Sequence, residues 1–145
     1  MSLFKTLHKV SRDAVSELEI KEVTLYNDEP LVLTGKIATM DDNRPLDHAL
    51  TLKFGKQGSR KRTGDKVIME TVRELYPFHV FTGWNVVDEA GNPIPYDAEK
   101  CKAQIMSEVS RYTVFDIAQH FTNPDNFREA VTKADGVEAG NASGG

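Results

Sequence analysis

Apolar residues recur along this chain with two periods, and the change of period divides it into a β-leaning first half and a helical second half. Leu3, Phe4, Leu7, Val10 and Ala14 step by three and four behind Ser2, a good N-cap residue, and this predicts a short amphipathic N-terminal helix. From Leu18 to Tyr26 the positions alternate, first at Leu18 and Ile20, then one position out of phase at Val23 and Leu25. A β-bulge at Lys21-Glu22 reconciles the two phases. Asn27-Asp28-Glu29-Pro30 is turn chemistry, and Leu31 to Thr39 reads as the strand paired with the first. After a polar link from Asp41 to Pro45, His48, Leu50, Leu52 and Phe54 alternate with Ala49, Thr51 and Lys53, the clearest strand pattern in the chain.

Gly55 to Gly64 is a loop by composition. Asp65 caps a helix on which Val67, Ile68, Val72, Leu75 and Tyr76 share a face, and Pro77 ends it. The β-branched and aromatic run from Phe78 to Val87 predicts a strand. Asp88 to Asn92 then makes a tight turn, and Pro93-Ile94-Pro95-Tyr96 returns as a short edge segment. Asp97 is an N-cap for a helix with Cys101, Ile105 and Val109 at i, i+4 and i+8, and Val114, Ile117, Ala118 and Phe121 mark a further one. Pro124 opens a last short helix through Phe127 and Val131, and the small polar residues from Asp135 to Gly145 read as a flexible tail. The predicted fold is therefore α+β. One domain spans 1–134, with a small antiparallel sheet of about four strands from the N-terminal half (β-leaning over 16–62). Helices lie at the N-terminus, after the loop and over 97–134, and the tail occupies 135–145.

Composition narrows the classes of function. With 145 residues the chain can bury a core without a structural metal or disulfide, and its single cysteine, Cys101, fits a reducing compartment. No apolar run approaches the roughly 20 residues of a membrane span, and the start has no secretory h-region. The net charge of −4 is uneven. Lys53 to Lys66 holds six basic residues against one acid, a local charge of +5 that leaves −9 for the rest. A basic loop on an acidic body suits docking to a protein or a repeating assembly as well as to nucleic acid.

No catalytic pattern emerges. The basic loop lacks the glycine register and Lys-Ser/Thr pair of a phosphate-binding P-loop. His8, His48, His79 and His120 have no second ligand at helical spacing, Cys101 sits on an apolar helix face, and Asp41-Asp42 and Asp88-Glu89 lie in wet turns. Asn141-Ala142-Ser143 is a sequon without a secretion route. No enzyme, cofactor or metal is expected. Trp84 is more telling: with Gly91, Pro93, Pro95 and Tyr96 it forms a structural clasp, in which the indole buries area, the glycine permits positive φ and the prolines set the entry of the next helix.

The segment Gly83-Trp84-Asn85-Val86-Val87-Asp88-Glu89-Ala90-Gly91-Asn92-Pro93-Ile94-Pro95-Tyr96, followed by a helix and Asn126-Phe127-Arg128, resembles the small tail assembly chaperones of tailed bacteriophages. Members of that family carry a similar tryptophan, Asp-Glu-x-Gly turn, proline-aromatic return and helical C-terminal part. Many end in a polar tail like Asn141 to Gly145. The resemblance covers about residues 78–130, and neither the basic loop nor the N-terminal helix has a counterpart in it. It implies a non-catalytic protein that binds the tape measure protein, the tail tube protein or both while the tail is built in the host bacterial cytoplasm. The apolar positions Ile105, Val109, Val114, Ile117 and Phe121 could dock helices of such a client, although most of them also suit the chain's own core. Candidate partner-binding residues are Ile105, Val109 and Phe121, with Lys56, Arg60, Lys61 and Arg62 of the basic loop.

Two other classes stay open. One is a structural virion subunit of tail, neck or capsid surface, ordered by neighbouring copies; the other is a phosphate- or nucleic-acid-binding accessory protein using residues 53–66. A homo-oligomer fits the first two readings, and none of the three involves a membrane.

Overall fold

The structure, a computed structural model, describes residues 10–11, 13–39, 43–55 and 64–128. Most of the predicted N-terminal helix, the basic loop 56–63, Asp41-Asp42, Val131 and the tail lie outside the described residues.

Strands β1 (Val15–Thr24) and β2 (Pro30–Lys36) form an antiparallel hairpin, with Leu18 opposite Leu33 and Ile20 opposite Leu31. The register shifts between Ile20 and Thr24, where the sequence changes phase, so Val23 and Leu25 still pack against the core. Asp28 takes φ 66° in the turn, and the Asn27 side chain accepts from the Glu29 N–H. A short β3 (Phe81–Trp84) pairs antiparallel with the other side of β2. The Asn85 side chain continues that pairing, accepting from Val32 N–H at 2.7 Å and donating to the Pro30 carbonyl at 3.0 Å.

One sheet face carries Ile20, Leu31 and Leu33, all fully buried, whereas Val15, Glu17 and Glu19 on the other are exposed. The buried face is covered by helix α5 (Arg111–Thr122), capped by the Ser110 hydroxyl and burying Val114, Ile117 and Phe121. Each such side chain contributes about 1.5–3 kcal/mol on burial. The order is β1-β2-β3: three strands among the described residues, not about four, in an α+β arrangement.

The missing strand is a helix. The alternating run His48 to Phe54 lies in α1 (Arg44–Phe54). Asn43 caps it, its side chain accepting from the Leu46 N–H at 3.1 Å, and Pro45 sits in the first turn. Leu46 and Leu50, four apart, are its buried pair, while Leu52 is 74% exposed. The period-two pattern was thus carried by a residue that faces solvent. Asn43 also donates to the carbonyls of Ile37 and His79, tying the start of α1 to the end of β2 and to the residue that precedes Val80.

Pro77 does not end its helix. Helix α2 (Asp65–Glu70) runs into a π-helical turn, Thr71–Leu75, and on into α3 (Tyr76–His79). The Tyr76 N–H bonds the Thr71 carbonyl, five residues back. That wider turn relieves the clash between a proline ring and the preceding carbonyls, so the helix passes Pro77. Gly64, not Asp65, is the N-cap. Phe78 and His79 are accordingly helical, and the strand predicted from Phe78 to Val87 shrinks to β3.

Asp97 caps α4 (Ala98–Lys100) as its type suggests, accepting from the Lys100 N–H at 3.0 Å. A second π-helical turn, Cys101–Ile105, follows, and Val109 lies beyond it in the turn before α5. A 3-10 turn, Pro124–Phe127, buries Phe127. Val10 is not helical: it forms a β-bridge with Arg128, and the Ser11 N–H bonds the Phe127 carbonyl, so two distant segments meet here.

His120 joins these layers. Its Nε2 is 2.8 Å from Ser16 Oγ of β1, and the Asn126 amide donates to the His120 carbonyl. Burial holds the pKa values of His120 and His79 below the ordinary 6.5. Both rings bind protons less readily folded than unfolded. Their stabilising effect is complete above pH 6.5 and is lost as pH falls through the lowered folded values. Thermal melts should therefore show a melting temperature that falls between pH 7 and pH 5, with a smaller fall in His120→Gln. An unchanged melting temperature over that range would refute this.

Candidate functional site

The clasp residues come together as a joint between sheet and helices. The Trp84 indole N–H donates to the Ile94 carbonyl at 2.7 Å, and its ring meets Tyr96 edge-on at 5.0 Å. Between them Asp88 organises the turn, its carboxylate accepting from the N–H groups of Ala90 and Asn92. Gly91 takes φ 85°, a conformation that L side chains rarely adopt. Pro93 bridges to Val87, and Pro95 leads to Tyr96, whose hydroxyl donates to the Pro77 carbonyl. That bond fastens the turn to α3. Burial, with the neighbouring Cys101, pushes the Tyr96 phenol far above its usual range, and burial lifts the Cys101 thiol to about 11. Cys101 is thus a buried neutral thiol, the opposite of a nucleophilic thiolate.

Trp84 is half-buried, not sealed in the core. Trp84→Ala should therefore cost about 2–3 kcal/mol, less than a full core truncation, and Trp84→Phe about 1 kcal/mol for the lost hydrogen bond. Chemical denaturation of the two variants checks both; a Trp84→Phe variant as stable as wild type would mean that the Ile94 bond contributes nothing.

Of the candidate partner-binding residues, Lys56, Arg60, Lys61 and Arg62 lie outside the described residues. Ile105 is half-buried against the core. Val109 and Phe121 are core residues, 3% and 0% exposed, and offer no surface to a partner. Helix α5 turns its Val114, Ile117 and Phe121 edge to the sheet, which removes them from docking.

The surface that remains is one the sequence pattern did not point to. An apolar cleft of about 450 Å³ opens where α1, the helix through the first π-helical turn and α5 converge at the end of β2. Leu46 and Leu50 of α1, Ile68 and Tyr76 of the middle helix, and Phe115 and Ala118 of α5 supply its walls. Two of the polar groups among them are spent internally: the Thr71 hydroxyl donates to the Val67 carbonyl and the Thr122 hydroxyl to the Ala118 carbonyl, each at 2.7 Å. Burial raises the Tyr76 phenol well above its usual range, so it stays a proton donor at any physiological pH. No side chain lining the cleft carries a charge at neutral pH. The volume is in the range of sites that enclose a small molecule or the anchor side chains of a helix. The signal that could have found it is the Phe115-Ala118-Thr122 edge of α5, spaced i, i+3, i+7 beside the core edge.

A second recess, of about 380 Å³, lies among Asp13, Lys36, Asn43, Arg44 and His79 and has mixed charge. Asn43 is already fully engaged there. Among the described residues no group of three or more His, Cys, Asp or Glu is placed to hold a metal ion, and no helix is long and apolar enough to cross a membrane. No protein-family model, curated protein or solved structure matches this chain.

Proposed function

We propose that this chain is a non-catalytic bacteriophage tail assembly chaperone, acting in the host cytoplasm by holding an apolar helical segment of the tape measure protein, the tail tube protein or both. The observation that carries the reading is the open, uncharged cleft between three helices. Helix-in-groove recognition lays i, i+3, i+4 and i+7 side chains into such a groove. The flanking α1 and α5, of 11 and 12 residues, span about 17 Å, enough to seat roughly three turns of a partner. The clasp supports the reading too, because a pinned helix entry keeps the binding elements in register. The test is co-expression with the neighbouring tail genes, followed by capture of the tagged chain. The wild type is expected to retain a long helical client, and Ala118→Trp, which fills the cleft, to retain at least tenfold less. Undiminished capture by that folded variant would overturn the reading.

Tyr26, Leu52 and Tyr112 stand 68%, 74% and 83% exposed, and they favour a second reading, a virion subunit whose neighbours cover them. Stoichiometric presence in purified particles, measured by mass spectrometry, would support that reading against the chaperone.

A further inference from the structure

Of the polar side chains lining the cleft, Tyr76 is the most deeply buried, and its hydroxyl has no partner among the described residues. Tyr76 is only 3% exposed and forms part of the cleft wall, with its ring fixed edge-on against Phe81 at 5.8 Å. Thr71, which lines the same cleft, donates to its own helix. The Tyr76 hydroxyl bonds none of the described residues. It is not sealed in protein either, since Arg73 Nε is the one enclosed side-chain polar atom without a partner among the described residues. The hydroxyl therefore keeps some accessible surface, and the recess that Tyr76 lines is the cleft. A phenol held this way loses hydration without regaining a bond, unless an occupant supplies an acceptor.

Charge decides what that occupant is. Because the lining is uncharged, any ion entering would be buried without a counter-charge. We propose that the client segment bound here is a helix with an uncharged apolar face carrying one hydrogen-bond acceptor, the side-chain oxygen of serine, threonine, asparagine or glutamine, which the Tyr76 hydroxyl meets. This rests on the client reading above and adds the chemistry of the bound segment. Tyr76 is then a specificity residue. A buried donor discriminates strongly against an occupant that lacks the acceptor, whereas apolar walls discriminate weakly between shapes of similar volume.

Benzophenone and diphenylmethane serve as probes, since they are uncharged and nearly isosteric and differ in one carbonyl acceptor. The full chain is expected to bind benzophenone about 5–10-fold more tightly, the effect of one neutral hydrogen bond. Photo-insertion of benzophenone should map to cleft residues. Tyr76→Phe is expected to erase the preference while leaving diphenylmethane binding and the melting temperature unchanged, and to weaken capture of the client by a similar factor. Ala118→Trp, or Gln119→Trp at the rim if the first fails to fold, should exclude both probes. Equal binding of the probes by wild type, a preference that survives Tyr76→Phe, or insertion outside the cleft would overturn the proposal. A dimer that denies the probe access would overturn it as well, because a second copy would then be the occupant. If the probes behave as expected but no tail protein is captured, the client reading fails and the acceptor chemistry of the site stands by itself.

Discussion

Phe121→Ala is expected to destabilise the protein by about 4 kcal/mol and to lower the melting temperature by roughly 12 °C. Phe121 has no exposed surface, and its ring packs edge-on against Phe81 at 5.5 Å and obliquely against Phe127 at 6.0 Å. It joins the sheet, α5 and the final 3-10 turn at a single point. Its carbonyl accepts from the Ala38 N–H at 2.7 Å, so the backbone around it is held as well and cannot slide into the cavity left by the missing ring. Since total stabilities of domains this size are about 5–15 kcal/mol, such a loss leaves little margin. The sequence pattern grouped Phe121 with partner-facing residues, and that assignment predicts the opposite, weakened binding with little loss of stability. Chemical denaturation of Phe121→Ala separates the two. A loss under 1 kcal/mol would return Phe121 to the surface.

At two elements the local signals agreed with each other and the elements formed. The β1–β2 hairpin had alternation, a compensating bulge and an Asn-Asp turn, and α5 had a four-residue apolar edge. At α1 they conflicted. Leu50, Leu52 and Phe54 alternate like a strand, while Asn43, Pro45 and the Leu46–Leu50 spacing describe a helix, and the cap and buried pair prevailed. The Pro77 stop failed for a different reason. A π-helical turn needs no distinctive residue, yet it lets a helix absorb a proline that α-geometry refuses. The cleft was illegible because it belongs to no element. It appears only when three helices meet, and one of them had been read as a strand. The clasp, by contrast, is local, spanning fewer than twenty residues, and its cap, turn and proline signals lie beside one another in the chain.

Gly35→Ala should destabilise by about 3 kcal/mol even though alanine is otherwise a modest change. Gly35 lies on β2 where the register against β3 shifts, with the Val80 carbonyl and the Phe121 ring pressed onto its Cα. A Cβ there would stand 2.7 Å from the Val80 carbonyl oxygen and 2.9 Å from Phe121 Cε1. Neither can yield easily. The carbonyl is backbone and already accepts from the Lys36 N–H at 2.8 Å, and the phenylalanine is locked among other rings. Side-chain loss at Phe121 offers an internal check. In a Phe121→Ala background one of the two clashes disappears, so adding Gly35→Ala should cost less than it does in wild type, a coupling a double-mutant cycle measures directly. Fully additive losses would place the strain on the Val80 carbonyl alone. A Gly35→Ala variant as stable as wild type would show that β2 and β3 can part by several tenths of an ångström at no expense, and the close approach would then not hold the sheet to α5.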